Sequence, residues 1–237
     1  MNHSTRIVIF FCIVLIVFSL FAGCIKIGIS EDTKVDKDGN IDHAKISYTT
    51  DKAGYGLLKT QAKSAGFTTV KDLFTKNISK SLGSDIAYTE TWNSDKSSVT
   101  ISLERFGPFT PTSDSKMSIQ NIDGNLVYKD DTYYNPSATG SSSTKTTSGL
   151  SAAQTKKLAD MMLSGITLDY SVEMPGNIID SNADTVTDNK AEWHAAGADV
   201  FNTKIYAKSE VPLLPGFEAL IAVVGLITVC LVRKKRV

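Results

Sequence analysis

Residues 25–50 read IKIGISEDTKVDKDGNIDHAKISYTT. Ile25, Ile27 and Ile29 alternate with Lys26, Gly28 and Ser30, a period of two that places the isoleucines on one face of a strand. Lys37-Asp38-Gly39-Asn40 supplies turn residues, and Ala44, Ile46 and Tyr48 alternate again on the way back. This stretch makes an antiparallel hairpin, and with it a sheet, the organising element of the body.

Working outward, the period changes to that of a helix. Tyr55, Leu58, Ala62 and Ala65 share a face in 53–65, as do Val70, Leu73, Phe74, Ile78 and Leu82 in 70–82. Gly66 and Gly83 suit the C-caps. The period of two then returns: Ile86, Tyr88 and Trp92 lie on one face with Glu90 as the polar exception. This strand pairs across Asn93–Lys96 with Val99, Ile101 and Leu103. A second hairpin joins 117–121 to 125–129 through Asp123-Gly124. Residues 136–149 (PSATGSSSTKTTSG) bury too little apolar surface to fold and read as a Ser/Thr-rich loop. Ser151 and Gln154 form a capping box for a third helix through Leu158, Met161 and Met162 to Gly165. A strand over Ile166–Met174, a turn at Pro175-Gly176-Asn177 and strands around 188–194 and 201–210 complete the chain. The expected fold class is α+β, an antiparallel sheet of hairpins with about three helices, flanked by N- and C-terminal membrane segments.

The two ends differ from the body. Residues 7–23, IVIFFCIVLIVFSLFAG, carry no charge and follow a short n-region with Arg6, the layout of a signal peptide. The run ends Leu20-Phe21-Ala22-Gly23-Cys24, which resembles a lipobox with Cys24 as the lipidated residue. The alternative is an uncleaved N-terminal anchor, since the run nearly spans a bilayer. At the other end Pro215-Gly216-Phe217-Glu218-Ala219 leads into an apolar stretch and then Arg-Lys-Lys-Arg at 233–236. This resembles the PGF-CTERM sorting signal of archaeal surface proteins, with Pro215, Gly216 and Phe217 as the signal tripeptide. The resemblance implies a membrane-bound sorting enzyme as a partner. An ordinary C-terminal anchor is the alternative. Either way the positive-inside rule puts the body outside and the basic tail inside. The expected division is therefore 1–23 signal or anchor, 24–211 extracytoplasmic domain, and 212–237 sorting signal with transmembrane helix.

The chain of 237 residues has no net charge, but the body from 24 to 214 carries 20 basic and 24 acidic residues. A mildly acidic body whose sole arginine is Arg105 is a poor nucleic-acid binder. Cys12, Cys24 and Cys230 lie in or at the apolar ends, so the body after Cys24 has no disulfide, thiolate nucleophile or cysteine metal site.

The sequence offers few motifs for chemistry. With Gly39 at the sixth position of a calcium loop, Asp36, Asp38 and Asp42 fall on ligand positions. Lys34 and Lys45 then occupy the first and twelfth, where carboxylates are required, so a polar turn is the better reading. Asp180, Asp184 and Asp188 read as a solvated loop rather than a cation site. His43 and His194 have no His or Cys companion. Ser113 and Lys116 match S-x-x-K without its partner motifs. No metal, cofactor or catalytic residue is assigned, and Asn77-Ile78-Ser79 is a possible glycosylation sequon at Asn77.

Residues 172–211, VEMPGNIIDSNADTVTDNKAEWHAAGADVFNTKIYAKSEV, combine a strand ending in Pro-Gly, an Asn-rich turn, a tryptophan strand and a strand ending Tyr-Ala-Lys-Ser-Glu. Together with the start after Cys24 this resembles the LppM-like lipoprotein domain over most of 24–211. The resemblance implies a lipid-anchored envelope protein with a non-catalytic binding role. The expected function is a membrane-anchored surface lipoprotein that binds an envelope lipid, glycan or neighbouring protein. Tyr133, Tyr134, Met161 and Met162 are candidate lining for an apolar groove, or ordinary core. Two other readings remain: a structural surface-layer or adhesion-like component, and an exported hydrolase. A cleft with two carboxylates of separated pKa would favour the hydrolase.

Overall fold

A computed structural model describes residues 26–82, 85–112, 115–135 and 163–211, with backbone alone for 77–82. The first hairpin forms as its alternation requires, from β1 (Ile27–Val35) and β2 (Ile41–Asp51). Gly39 closes the turn at φ 80°, and a Cβ there would reach Leu126 and Ile119 at 3.4 and 3.5 Å, so the turn packs close on the second hairpin.

Helix α1 (Lys52–Ser64) follows directly. Asp51 caps it, accepting from the Gly54 amide at 2.7 Å. Its C-terminus is a Schellman turn: Gly66 sits at φ 78°, its N–H bonds the Lys63 carbonyl, and Phe67 N–H bonds the Ala62 carbonyl. The buried face is Gly54, Leu58 and Ala62, and Ala65, expected on that face, is exposed because it already belongs to the cap. Helix α2 (Val70–Leu82) starts with a reciprocal cap. Thr69 Oγ1 accepts from the Asp72 amide and the Asp72 carboxylate accepts from the Thr69 amide.

The remaining strands are β3 (Ala87–Trp92), β4 (Ser98–Phe109), β5 (Met117–Ile122), β6 (Asn125–Asp130), β7 (Ile166–Glu173), β8 (Ile178–Ser181), β9 (Thr185–Thr187), β10 (Lys190–Ala196) and β11 (Ile205–Glu210). A 3₁₀ turn at Gly197–Asn202 precedes β11 and buries Val200 and Phe201. The single antiparallel sheet expected from the hairpins is two sheets. Seven strands run in the order β3-β4-β2-β1-β7-β10-β9, and four in the order β5-β6-β11-β8. All described pairings are antiparallel except β1 with β7, which is parallel. Period-two strands look alike whichever sheet they join, so local pattern could not separate them. The 178–188 stretch, read as a solvated loop, contains β8 and β9, which pair through backbone groups and need little apolar side chain. The third helix expected after Ser151, the Ser/Thr-rich loop and both membrane segments lie outside the described residues.

The inner face of the large sheet is covered in two ways. Leu58 of α1 and Val70 and Phe74 of α2 belong to the same core as Val99, Ile101 and Leu103 of β4, whose strand both helices contact, and the Phe74 ring packs on Tyr48 of β2. Over β1 and β7 lies the four-stranded sheet, which contributes Leu126, Tyr128, Ile205 and Ala207 to the same core. The outer face is polar: Ser47 bonds Ser102, Thr49 bonds Thr100, and Asp32 accepts from Ser171.

Candidate functional site

Among the described residues, two clusters concentrate chemistry-bearing side chains. The first is sealed between the sheets. Glu31 points inward from β1, in phase with Ile29, Thr33 and Val35, and is 4% exposed. Asp130 ends β6, in phase with Leu126 and Tyr128, and is 1% exposed. Tyr170 of β7 is the ladder neighbour of Glu31. The hydroxyls link these strands. Tyr133 donates to Glu31 Oε2 at 2.7 Å, Tyr170 donates to Asp130 Oδ2 at 2.9 Å, and the Tyr128 and Tyr170 hydroxyls lie 2.5 Å apart. The Thr132 amide donates to Asp130 Oδ1 at 2.7 Å. The Tyr170 ring meets Tyr133 and Trp193 edge-on.

Burial, reinforced by the charge of Asp130, raises the Glu31 carboxyl to about 8. Burial also raises Asp130, against the donors that hold it. Two carboxyls in one dry site do not both ionise readily, and Glu31 keeps its proton at neutral pH. The tyrosines are pushed up by burial and by these carboxylates and stay neutral donors. Sequence reasoning stopped its alternation at Ile29 and missed the cluster. The signal was a charged residue in the apolar phase of a strand, twice over.

The second cluster is open, at the β3 edge beside α1. Glu90, the polar exception in its strand, accepts from the Tyr55 hydroxyl at 2.7 Å and from the Tyr88 hydroxyl. Tyr55 lies edge-on to Trp92 with centroids 5.0 Å apart, and Lys59 Nζ stands 5.1 Å from the Tyr55 centroid. Partial burial and the Glu90 bond push the Tyr55 hydroxyl up to about 12. Three aromatic rings, a carboxylate and an ammonium here offer stacking and hydrogen bonding at the surface.

The other candidates separate. Asp36 accepts from the Asp38 and Asn40 amides and the Asn40 side chain, which makes it the keystone of the turn. Asp180 accepts from Tyr206, Asp184 from the His194 amide, and Asp188 occupies a turn at φ 53°. Among the described residues no three His, Cys, Asp or Glu side chains gather to hold a metal ion. His43 pairs with Glu104 at 2.8 Å and stacks on the exposed Phe106, while His194 pairs with Asp169, whose hydrogen bond raises it. Of the groove candidates, Tyr133 is core, and Tyr134 is half-buried with Lys204 4.0 Å from its centroid. Met161, Met162, Ser113, Cys24, Pro215, Gly216 and Phe217 lie outside the described residues. Asn77 lies on α2, its side chain likewise outside them. Among the described residues no helix is long and apolar enough to cross a membrane.

Residues 214–236 match the PGF-CTERM motif. The motif defines the class: an archaeal cell-surface protein anchored to the membrane through a sorting enzyme, with its folded body on the extracytoplasmic face. Within that class, the chain belongs to the family of an Archaeoglobus fulgidus protein described as an uncharacterized protein. The two are 37% identical over 227 residues, 96% of this chain and 95% of that protein. Among solved structures, the folded domain of Mycobacterium tuberculosis LppM is similar over 80% of this chain and 91% of its own. The sequence identity is 10% and the TM-score 0.43. That overlap is loose, and neither residues nor ligand carry over from it.

Proposed function

We propose that the protein is a non-catalytic surface module that binds an envelope component, whether a lipid, a glycan or a neighbouring protein. The observation that carries this reading is where the two clusters sit. The carboxyl pair with shifted ionisation, which could serve an acid–base hydrolase, is shut between two sheets. The open cluster has rings and a single carboxylate, Glu90, already held by two phenols. Stacking surface without a paired acid and base supports recognition rather than bond cleavage. In this reading Cys24 is lipidated after removal of residues 1–23, and the tail beyond Pro215-Gly216-Phe217 is exchanged for a lipid.

A second reading, a structural surface-layer component, draws support from the tightly linked interface between the sheets. The full chain, extracted from native membranes, distinguishes the two. A binding module brings down a defined lipid, glycan or protein, and Trp92→Ala with Tyr55→Ala reduces the yield. No such component above the level of an unrelated PGF-CTERM protein would favour the structural reading. Turnover of chromogenic esters or glycosides by the pure chain would return the hydrolase.

A further inference from the structure

We propose that helices α1 and α2 lay a basic face on the anionic headgroups of the membrane to which the protein is anchored. The proposal rests on the anchored location and is independent of any ligand's identity.

The charge is segregated. Lys52, Lys59 and Lys63 fall at i, i+7 and i+11 of α1, a spacing that puts them on one stripe. That stripe turns away from buried Gly54, Leu58 and Ala62, and all three lysines are exposed. No acidic residue occurs in α1, and α2 adds exposed Lys71 and Lys76. Across 52–82 the chain has six lysines and one acidic residue, Asp72, whose carboxylate is turned back onto Thr69. The rest of 24–214 has fourteen basic and twenty-three acidic residues. A layer this basic on an otherwise acidic domain presents one positive side.

Four of these lysines are not paired with an acid. Among the described residues Lys52, Lys59, Lys63 and Lys71 make no ion pair. On the outer face of the large sheet, by contrast, Lys34 reaches Glu173 at 2.9 Å and Lys190 reaches Glu192 at 2.6 Å.

What adjoins the stripe favours a bilayer over a soluble polyanion. Lys59 lies against Tyr55, which touches Trp92 at the β3 edge. Tyrosine and tryptophan beside lysine stems are the side chains that sit at headgroup depth, rings toward the acyl boundary and charges toward phosphate. The carboxylate beside them, Glu90, is occupied by Tyr55 and Tyr88. The anchor supplies proximity. β11 ends at Glu210 and the sorting motif begins at 214, four positions on, a reach of at most about 14 Å. A domain tethered that closely meets the surface at high effective concentration, so a few exposed charges suffice to orient it.

The test uses the full chain inserted in vesicles and a water-soluble amine reagent, with labelling read lysine by lysine. Vesicles of about one-third phosphatidylglycerol are compared with pure phosphatidylcholine. In the anionic vesicles Lys52, Lys59, Lys63 and Lys71 should label at least about threefold more slowly, and the protection should vanish in about 0.5 M salt, where screening shortens to a few ångströms. Lys34 and Lys190, on the opposite face, should label equally in both. Equal labelling of the helix lysines in the two vesicle types would overturn the proposal. So would protection that persists in phosphatidylcholine or high salt, which would mark a protein contact instead.

Discussion

The inner face of the seven-stranded sheet is one surface buried in two different ways. Under the helices, Val99, Ile101 and Leu103 meet Leu58 and Val70, and the contact is apolar. Under the second sheet, the same phase of β1 and β7 presents Glu31 and Tyr170 to Tyr133, Tyr128 and Asp130, and the contact is a hydrogen-bonded network. A strand's period says which side chains are buried but not what they are buried against. The apolar half gains stability from area alone. The polar half links three strands by directed bonds at a desolvation cost that depends on pH.

The halves should therefore fail differently. The largest loss is expected in the apolar half. Ile101→Ala removes a fully buried side chain and should cost about 2–5 kcal/mol in urea unfolding, with the same penalty at pH 5 and pH 9. An Ile101→Ala penalty that changed with pH would merge the halves.

In the polar half the pH term dominates. Glu31 titrates near 4.5 when unfolded and about 8 when folded. The unfolded chain therefore releases this proton first, and native stability falls as pH rises through that window, by on the order of a few kcal/mol. Burial raises Asp130 as well, which acts with the same sign. Glu31→Gln keeps the shape without the titration. The variant should lose most of the slope between pH 5 and 9 and be more stable than wild type at pH 9. Parallel melting curves against pH for the two would contradict a buried neutral acid.

Tyr170→Phe sharpens the comparison further. It takes away the donor to Asp130 Oδ2 and leaves the carboxylate one bond short, a cost of about 1–3 kcal/mol by chemical denaturation. The smallest effects should not distinguish the halves. Thr69→Ala removes the α2 cap, and Gly124→Ala strains the β5–β6 turn at φ 77° where space is open. Each should cost about 1 kcal/mol, without pH dependence.

Much of this organisation was legible in the chain. Asp123-Gly124 closes its two-residue hairpin with both residues at positive φ, as the type I′ turn requires. Gly66 ends α1, and the alternations at 25–50 and 166–174 became β1, β2 and β7. The sheet assignments were not legible, because Leu126 and Leu168 carry the same alternation into different sheets. Nor was the parallel pairing of β1 with β7, which joins segments about 139 residues apart, beyond any turn signal. Of the chemistry, Glu90 was noticed as an exception but its phenol partners, Tyr55 from a helix and Tyr88 from its own strand, needed the fold to be seen. Glu31 and Asp130 went unread because each looks like a solvent-facing charge until the neighbours in its phase are counted.

The protonation of Glu31 is the most direct point of attack. Infrared difference spectra between wild type and Glu31→Gln report it without reference to unfolding. A protonated-carboxyl carbonyl band is expected in wild type at pH 7, absent from the variant, and giving way to a carboxylate band with a midpoint of about 8. A carboxylate band already complete at pH 6 would contradict a neutral acid sealed between the two sheets.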